Sequence, residues 1–265
     1  MKFFDSDDWV LSSAGGLTGE AYMAMSGDHK LFIKRNTSPF LAVLSAEGIV
    51  PKLLWARRTG SGDVLTAQKW MNGRVLKPEE MGSKKVAALL KKIHTSDPLL
   101  FMLKRLGKKP VTTSVIFDRL VHRASGRKNS PALNCALDFL RKTSGRAEYY
   151  EKKVCHSDIN HNNWLINEGE KKLYLVDWDQ AVIADPAMDL AMLLYWYISE
   201  DKWLDWLKMY GWEMNNSLHL RLIWHMIAST IRFMFWHQEH GDARKFILFE
   251  KDLLWLNDYA ARFCN

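Results

Sequence analysis

Short hydrophobic runs separated by glycine-containing turns fill the first seventy residues of the chain. These runs lie at residues 9–11, 21–25, 31–34 and 64–70. Runs of this length, bounded by turn residues, predict β-strands. We expect the first three strands to form an antiparallel meander, followed by a helix from Pro39 to Glu47.

After Gly73 the hydrophobic spacing changes to that of helices. From residue 79 to 94 apolar side chains recur every three or four positions, and residues 186–262 show a mostly helical pattern. This change predicts an α+β chain with two lobes, a small antiparallel β lobe at residues 1–72 and a larger, mostly helical lobe at residues 73–265. A cleft between two such lobes is the usual place for a binding site.

One β-hairpin is predicted within the helical half. Two strand-like segments, residues 163–167 and 173–179, flank a polar turn at residues 168–172. If those five turn residues form the loop, Asn163 faces Asp177 across the strands, with Cβ atoms roughly 4.5 to 5.5 Å apart. Amide and carboxylate oxygens are ligands that Mg²⁺ takes when it also keeps waters and phosphates. The hairpin therefore predicts a magnesium site.

The segment that enters this hairpin is dense in polar side chains. Residues 154–164 read VCHSDINHNNW and place Asp158 five residues before Asn163. Asp158 can lie near the metal without coordinating it, where an attacking hydroxyl needs a proton acceptor. The alternative is a zinc site, since the segment holds four plausible donors: Cys155, His156, Asp158 and His161. Crowded spacing and the lack of a distant donor pair argue against zinc.

The composition adds few constraints on function. Among 265 residues, Lys and Arg total 37 against 30 Asp and Glu, a formal charge of +7. This mild excess suits a polyanion, but it is not interleaved with base-stacking motifs, so nucleic-acid binding is a weak alternative. Three cysteines without a CxxC pair favour a reducing compartment. Without a signal-peptide run or 18 consecutive apolar residues, the sequence predicts a cytoplasmic protein with no membrane partner.

The motif around Asp158 resembles the catalytic segment of the aminoglycoside phosphotransferase and choline kinase family, relatives of the protein kinases. The similarity rests on His156-Ser157-Asp158 with Asn163, and on Val176-Asp177-Trp178-Asp179. It implies a protein-kinase-like two-lobed fold that binds ATP and magnesium, with Asp158 as the catalytic residue. Asn163 and Asp177 would be metal ligands, and Asp179 is a further candidate.

The same resemblance implies supporting residues for the catalytic loop. His156 would be structural. Residues 185–191 read DPAMDLA and resemble the family's DPAxDLA motif, which implies that Asp189 supports the loop from below. Ser157 departs from the family pattern, in which glycine is usual at this position.

A nucleotide site in the first lobe is also implied by the resemblance. Lys34 ends a strand and would hold the phosphates, with Glu47 as its acidic partner. Small residues that can offer backbone N–H groups to the phosphates precede it: Ser13, Gly15, Gly16 and Gly19. The segment before the lobe change would receive adenine through its backbone: Gln68, Trp70 and Met71.

Three further segments resemble the bacterial YtmP/CcrZ branch of this family: residues 32–39, 53–58 and 197–203. This implies a hydroxyl acceptor that is a riboside or related small sugar. It also implies a role in cell-cycle and division control, contact with a division-ring protein and recruitment to the division site. Two alternatives stay open. One is a kinase-like regulatory binding protein of the division and replication machinery with little turnover, and the other is an aminoglycoside- or choline-type kinase.

Overall fold

The computed structural model describes residues 9–13, 21–126, 129–167 and 169–263. The chain forms two compact units. Unit 1 comprises residues 1–77 and 161–179, and unit 2 comprises residues 78–160 and 180–265. The functional division predicted from the sequence, with nucleotide binding in residues 1–72 and the catalytic loop in residues 73–265, stays a prediction.

Unit 1 contains a five-stranded antiparallel sheet. Its strands are β1 (Val10–Ser13), β2 (Ala21–Ser26), β3 (His29–Arg35), β4 (Leu53–Arg58) and β5 (Val64–Lys69). The spatial order is β1-β2-β3-β5-β4, so the first three strands form the predicted meander, while β5 lies between β3 and β4. Ala24, Ile33, Leu65 and Ala67 are buried on one face and form the core of the sheet. Strand β4 was not predicted.

A single helix, α1 (Phe40–Ala46), connects β3 to β4 within unit 1. The predicted helix from residue 39 to 47 is therefore confirmed to within one residue at each end. Phe40 and Leu44 bury one face of the helix, and the hydroxyl of Ser45 accepts a hydrogen bond from the Leu53 amide at 2.7 Å. This bond ties the end of α1 to the start of β4.

Unit 1 also holds the predicted hairpin, in a three-stranded sheet of order β6-β8-β9. The strands are β6 (Arg74–Val75), β8 (Trp164–Asn167) and β9 (Lys172–Leu175). Trp164 pairs with Leu175 and Asn167 with Lys172, so the loop has four residues and not five. Lys171 adopts a left-handed φ of 51° and the Asn167 side chain accepts from the Glu170 amide, which closes the turn one residue early.

The shorter loop changes the predicted pairing of Asn163. The prediction that Asn163 faces Asp177 is wrong by one residue, because the carbonyl of Asn163 accepts a hydrogen bond from the amide of Val176 at 2.9 Å. A one-residue change of register moves side chains to the opposite face of a regular strand. Here both residues lie outside the strands, since Asn163 ends a 3-10 turn and Asp177 has a φ of 66°.

Gly73 packs its Cα against the backbone of β8. A Cβ built at this position would lie far inside van der Waals contact with the carbonyl oxygen of Ile166, which is backbone and cannot swing away. We therefore expect Gly73→Ala to lower the free energy of unfolding by roughly 1 to 3 kcal/mol. Urea unfolding measures the loss, and Gly60→Ala is the control, since a Cβ there meets nothing within 4 Å. Equal stability of the two variants would contradict the expectation.

Unit 2 is mainly helical. Its helices are α2 (Lys84–Thr95), α3 (Asp97–Arg105), α4 (Thr113–Ala124), α5 (Pro131–Thr143), α6 (Ala187–Tyr197), α7 (Trp203–Tyr210), α8 (Asn216–Glu239) and α9 (Ala243–Phe263). Side chains of Ser96, Thr112, Ser130 and Asn215 cap α3, α4, α5 and α8 by accepting from an amide in the first turn. The long helix α8 is buried on most of its surface and packs against α4, α5, α6 and α9.

Two short strands of unit 2 carry the loop that contains Asp158. Strand β7 (Lys153–Cys155) precedes that loop and pairs antiparallel with β10 (Val182–Ala184). The sequence did not predict these three-residue strands. The predicted helix from residue 79 begins at Lys84, because residues 78–80 form a 3-10 turn instead. No described helix is both long and apolar enough to cross a membrane.

Candidate active site

The buried carboxylate of Asp189 holds the loop at residues 156–160, which we call the Asp158 loop. Its oxygens accept hydrogen bonds from the amides of His156 and Ser157, each at 2.8 Å. Asp189 lies in the first turn of α6 and is fully buried. The supporting role predicted for Asp189 thus agrees with its contacts, since it fixes the backbone just before Asp158.

His156 also acts on the backbone of the loop. Its ring is fully buried, and Nδ1 accepts a hydrogen bond from the Asp158 amide at 3.3 Å. A neutral imidazole that accepts at Nδ1 carries its proton on Nε2. These contacts agree with a structural role for His156. The Asp158 carboxylate itself accepts from the side-chain amide of Asn160 at 3.1 Å.

Ser157 occupies a backbone conformation that favours glycine. Its φ is 68°, in the left-handed region, which costs a residue with a Cβ roughly 1 to 2 kcal/mol. The serine side chain offsets part of this cost, because its hydroxyl donates to the carbonyl of Gln180 at 2.8 Å. A glycine would fit the backbone without strain but could not make this bond.

Two substitutions at Ser157 separate strain from hydrogen bonding. Ser157→Ala keeps the strain and loses the bond, so it should lower the free energy of unfolding by about 1 kcal/mol. Ser157→Gly loses the bond but relieves the strain, so its stability should lie within about 1 kcal/mol of the wild type and above that of the alanine variant. Chemical denaturation measures both, with Ser217→Ala at an exposed serine as the control. A glycine variant less stable than the alanine variant would contradict this account.

A second layer of buried groups supports Asp189. His94 of α2 contacts the Asp189 carboxylate through Nε2 at 3.1 Å, and its Nδ1 lies 2.8 Å from the hydroxyl of Tyr210 on α7. Burial alone would raise the pKa of Asp189, but the hydrogen bond and electrostatic attraction of His94, together with the amide bond from His156, outweigh it and lower that pKa. Sequence reasoning missed His94 and Tyr210, although a histidine on the apolar face of α2 was a usable signal.

Asp185, the first residue of the DPAMDLA segment, forms a separate buried ion pair. The guanidinium of Arg221 donates to both of its oxygens at 2.7 and 2.5 Å, and the amide of Ala187 donates at 2.9 Å. Burial would raise the pKa of Asp185, but Arg221 and His225 lower it. Arg221 also lies over the ring of Tyr149, 3.7 Å from its centroid. These contacts fix the turn that leads into α6.

Cys155 precedes the Asp158 loop directly and is fully buried. Its thiol donates to the carbonyl of Asp185 at 3.3 Å, and burial raises its pKa well above the usual value. Cys155, His94 and Asp189 could in principle hold a metal ion, but their contacts account for them as a hydrogen-bonded support. The predicted zinc alternative gains nothing from this cluster, since only Cys155 belongs to both sets.

Within unit 1, the predicted metal ligands lie at the open end of the hairpin. Asn163 is buried, whereas Asp177 and Asp179 are exposed. The hydrogen bond from Val176 to Asn163 places Asp177 next to the residue that pairs with Asn163. An amide and two carboxylates supply hard oxygen donors, the set that magnesium prefers. The donor set therefore fits this metal.

Lys34 forms an ion pair with Asp179, with Nζ 3.2 Å from the carboxylate. The sequence had predicted Glu47 as the acidic partner. Glu47 follows the last residue of α1, and its amide caps the helix. Its pairing with Lys34 at the nucleotide site stays a prediction. The Asp179 carboxylate thus pairs with the positively charged ammonium group of Lys34.

The other predicted nucleotide-contacting residues are only partly described. Ser13 ends β1, whereas Gly15, Gly16 and Gly19 lie outside the described residues. Gln68 lies in β5, and its backbone pairs with β3 on one side and β4 on the other. Its side-chain amide donates to the carbonyl of Pro51 at 2.7 Å.

Each unit has a cavity lined by described residues. Trp70 and Met71 follow β5 and line a cavity of about 210 Å³ in unit 1, together with Pro51, Lys52, Lys69, Asn167, Glu170, Lys172 and Tyr174. A larger groove of about 530 Å³ in unit 2 lies by the start of α4 and contains none of the predicted site residues.

The fold is protein-kinase-like, with an antiparallel sheet in unit 1 and mainly helices in unit 2, as solved structures show. Choline kinase LicA from Streptococcus pneumoniae superposes with a TM-score of 0.70 at 15% identity, over 96% of this chain and 95% of that one. The complex of APH(2")-IIia with GDP and kanamycin gives a TM-score of 0.70 at 13% identity, over 96% and 95%. A ternary complex of aminoglycoside phosphotransferase APH(4)-Ia gives 0.68 at 14% identity, over 98% and 96%.

The sequence itself carries the family signal. A family model described as the phosphotransferase enzyme family matches residues 34–212. The chain therefore belongs to this phosphotransferase enzyme family and is a small-molecule kinase. The family and the fold class predicted from the sequence are confirmed.

Proposed function

We propose that this protein transfers the γ-phosphoryl group of ATP to a hydroxyl of a small molecule in a magnesium-dependent reaction. The single observation that carries the proposal is the fixed Asp158 loop. Asp189 and His156 hold three consecutive amides of the loop, so that the Asp158 carboxylate is presented from a rigid backbone. A carboxylate positioned in this way can accept the proton of an attacking hydroxyl.

The nucleotide and the metal would be held by unit 1. Solved relatives of this fold contain AMP or AMP-PNP, which supports ATP as the phosphoryl donor. Asn163, Asp177 and Asp179 would hold the metal, which when bound neutralises charge on the phosphates. Lys34 would exchange its ion pair with Asp179 for the phosphates. The backbone at Trp70 and Met71, beyond the end of β5, would receive adenine.

The acceptor we favour is a riboside or related small sugar. The resemblance of three segments to the YtmP/CcrZ branch supports this choice, together with a role in cell division and contact with a division-ring protein. In unit 2, the partly exposed rings of Trp196, Phe233 and Phe249 form a cluster with centroid distances of 4.9 to 6.4 Å. Such a cluster offers an aromatic face on which a sugar or base can stack.

A quaternary amine of the choline type is the second candidate. The rings of Tyr195 and Trp255 lie 5.7 Å apart, and burial together with the charge of Asp252 raises the pKa of the Tyr195 hydroxyl. Burial also raises the pKa of Asp252, and Tyr195 opposes this shift. Aromatic rings next to a half-buried carboxylate are the features that bind an ammonium group. The solved choline kinase with the same fold agrees with this candidate.

A coupled assay of ADP release tests the proposal. Purified protein with ATP and Mg²⁺ is offered ribosides, choline and an aminoglycoside, with EDTA as the metal control. Metal-dependent ADP release above the acceptor-free rate for a riboside supports the proposal, whereas release only with choline or only with an aminoglycoside selects that class instead. Thermal stabilisation by MgATP without turnover on any acceptor would favour the regulatory binding protein.

A further inference from the structure

Arg232 of α8 contacts the Asp158 loop from a distant part of the chain. Its Nη2 donates to the carbonyl of Ser157 at 2.8 Å, across 75 positions of sequence. That carbonyl belongs to the peptide that joins Ser157 to Asp158, and the amide of the same peptide donates to His156. Both polar edges of the peptide are therefore fixed, one by a neighbour in the loop and the other by Arg232.

The orientation of this peptide governs the catalytic carboxylate. Rotation of the peptide plane changes φ of Asp158 and so moves its side chain relative to the rest of unit 2. Ser157 has a left-handed φ, which leaves this peptide in a conformation that an L residue favours only with support. Asp189 holds the preceding amide edge, and Arg232 holds the following carbonyl edge.

A contribution to folding stability does not by itself explain an arginine at position 232. The guanidinium is partly buried, and its contacts are the Ser157 carbonyl, the thioether of Met192 at 3.8 Å and the ring of Phe233 at 4.7 Å. None of these partners carries a compensating charge. Removing a guanidinium from water is costly even where carboxylates compensate it at a distance, as Asp158 and Asp189 do here.

The surrounding charges act on Arg232 in opposite directions. Burial lowers its pKa, Asp158 and Asp189 raise it, and Arg123 of α4 lowers it. Arg123 is itself paired with Glu239, at 2.6 Å. Arg232 thus contacts the Asp158 loop directly, whereas Arg123, which is paired with Glu239, donates to the backbone carbonyl of Arg232 at 3.4 Å.

We infer that Arg232 is a positioning residue for phosphoryl transfer, which sets the direction of the Asp158 carboxylate by holding the Ser157 carbonyl from α8. The inference rests on the proposed function. Positional errors of about 1 Å can cost a reaction roughly 100-fold in rate. Loss of Arg232 therefore lowers kcat and leaves nucleotide binding intact.

Two substitutions at Arg232 test this role. Arg232→Met keeps the length of the side chain and removes the donor, and kcat for the best acceptor should fall about 10- to 100-fold with KM for MgATP within about two-fold. Arg232→Lys keeps a charged donor and should recover most of the loss. Arg244→Met, at an exposed arginine of α9, is the control and should stay within about two-fold of wild type in kcat.

A purely structural role gives different results. It predicts that kcat of Arg232→Met falls only in proportion to the folded fraction, or that lysine fails to restore activity. Either result, or a methionine variant with wild-type kcat, overturns the inference. Hydrogen exchange of residues 154–160, read by mass spectrometry, adds a measurement that needs no substrate: faster exchange confined to this segment in Arg232→Met supports the inference, and unchanged exchange overturns it. Absence of turnover in the wild type counts against the proposed function alone.

Discussion

Replacing Asp158 by asparagine is expected to reduce phosphoryl transfer about 100- to 10,000-fold. Asparagine has nearly the same shape and can still accept the hydrogen bond that Asn160 donates to the Asp158 Oδ1 position. It cannot accept a proton from the attacking hydroxyl. Initial rates of ADP release with a saturating acceptor measure the loss.

Nucleotide binding distinguishes this result from misfolding. Because Lys34, Asn163, Asp177 and Asp179 are unchanged, MgATP should raise the melting temperature of the Asp158→Asn variant as much as that of the wild type. Asp201→Asn, at an exposed acid in unit 2, should keep wild-type rates. Wild-type turnover in Asp158→Asn would refute the catalytic assignment of this residue.

Replacing Asp189 by asparagine should have the largest effect on stability, about 3 kcal/mol at neutral pH. The carboxylate is fully buried and accepts from His94 and from the amides of His156 and Ser157. Asparagine offers one acceptor oxygen, and its NH₂ group faces donors that then have no acceptor. Urea unfolding measures the loss, and ADP release should fall as well, since the Asp158 loop loses its main support. Asp205→Asn at an exposed acid should leave the unfolding midpoint unchanged.

The effect of Asp189 should depend on pH in one direction. Its pKa is lowered in the folded protein, so its contribution is complete above the unfolded value of about 3.9 and is lost as the pH falls through the folded pKa. The stability difference between wild type and Asp189→Asn should therefore be constant near neutral pH and become smaller below about pH 4. A difference that stays constant into the acid range would show that Asp189 acts without its charge.

The elements that the sequence predicted best have strong local patterns. Strands β2 and β3 have hydrophobic runs bounded by glycine turns, and α1 begins one residue after a proline at its N-cap. Strand β4 was missed because its sequence, LLWARR, ends in two arginines and leaves most of its side chains exposed. The position of β5 between β3 and β4 depends on pairing between distant residues, which local patterns do not encode.

In the candidate site, too, residues in short motifs were predicted, whereas residues that act through tertiary packing were missed. Asp158, Asn163 and Asp177 were predicted because their spacing follows a short motif, and their roles stay predictions; the contacts of Asp189 agree with its predicted role. The register of the hairpin was wrong by one residue, since the left-handed Lys171 shortens the loop and a lysine does not signal that conformation. His94 contacts Asp189 and Arg232 contacts the Asp158 loop, and both were missed because these contacts depend on the tertiary packing of helices distant in sequence.

Alkylation of the buried thiol of Cys155 can measure local opening of the strand that precedes the Asp158 loop. Cys155 is the last residue of β7 and pairs with Val182 of β10, and burial keeps its thiol protonated, so it should react with an alkylating reagent only after the two strands separate. Cys135, which is exposed on α5, reacts in the intact protein and calibrates the reagent. The ratio of the two alkylation rates, obtained peptide by peptide, reports how often the strand that carries the Asp158 loop opens.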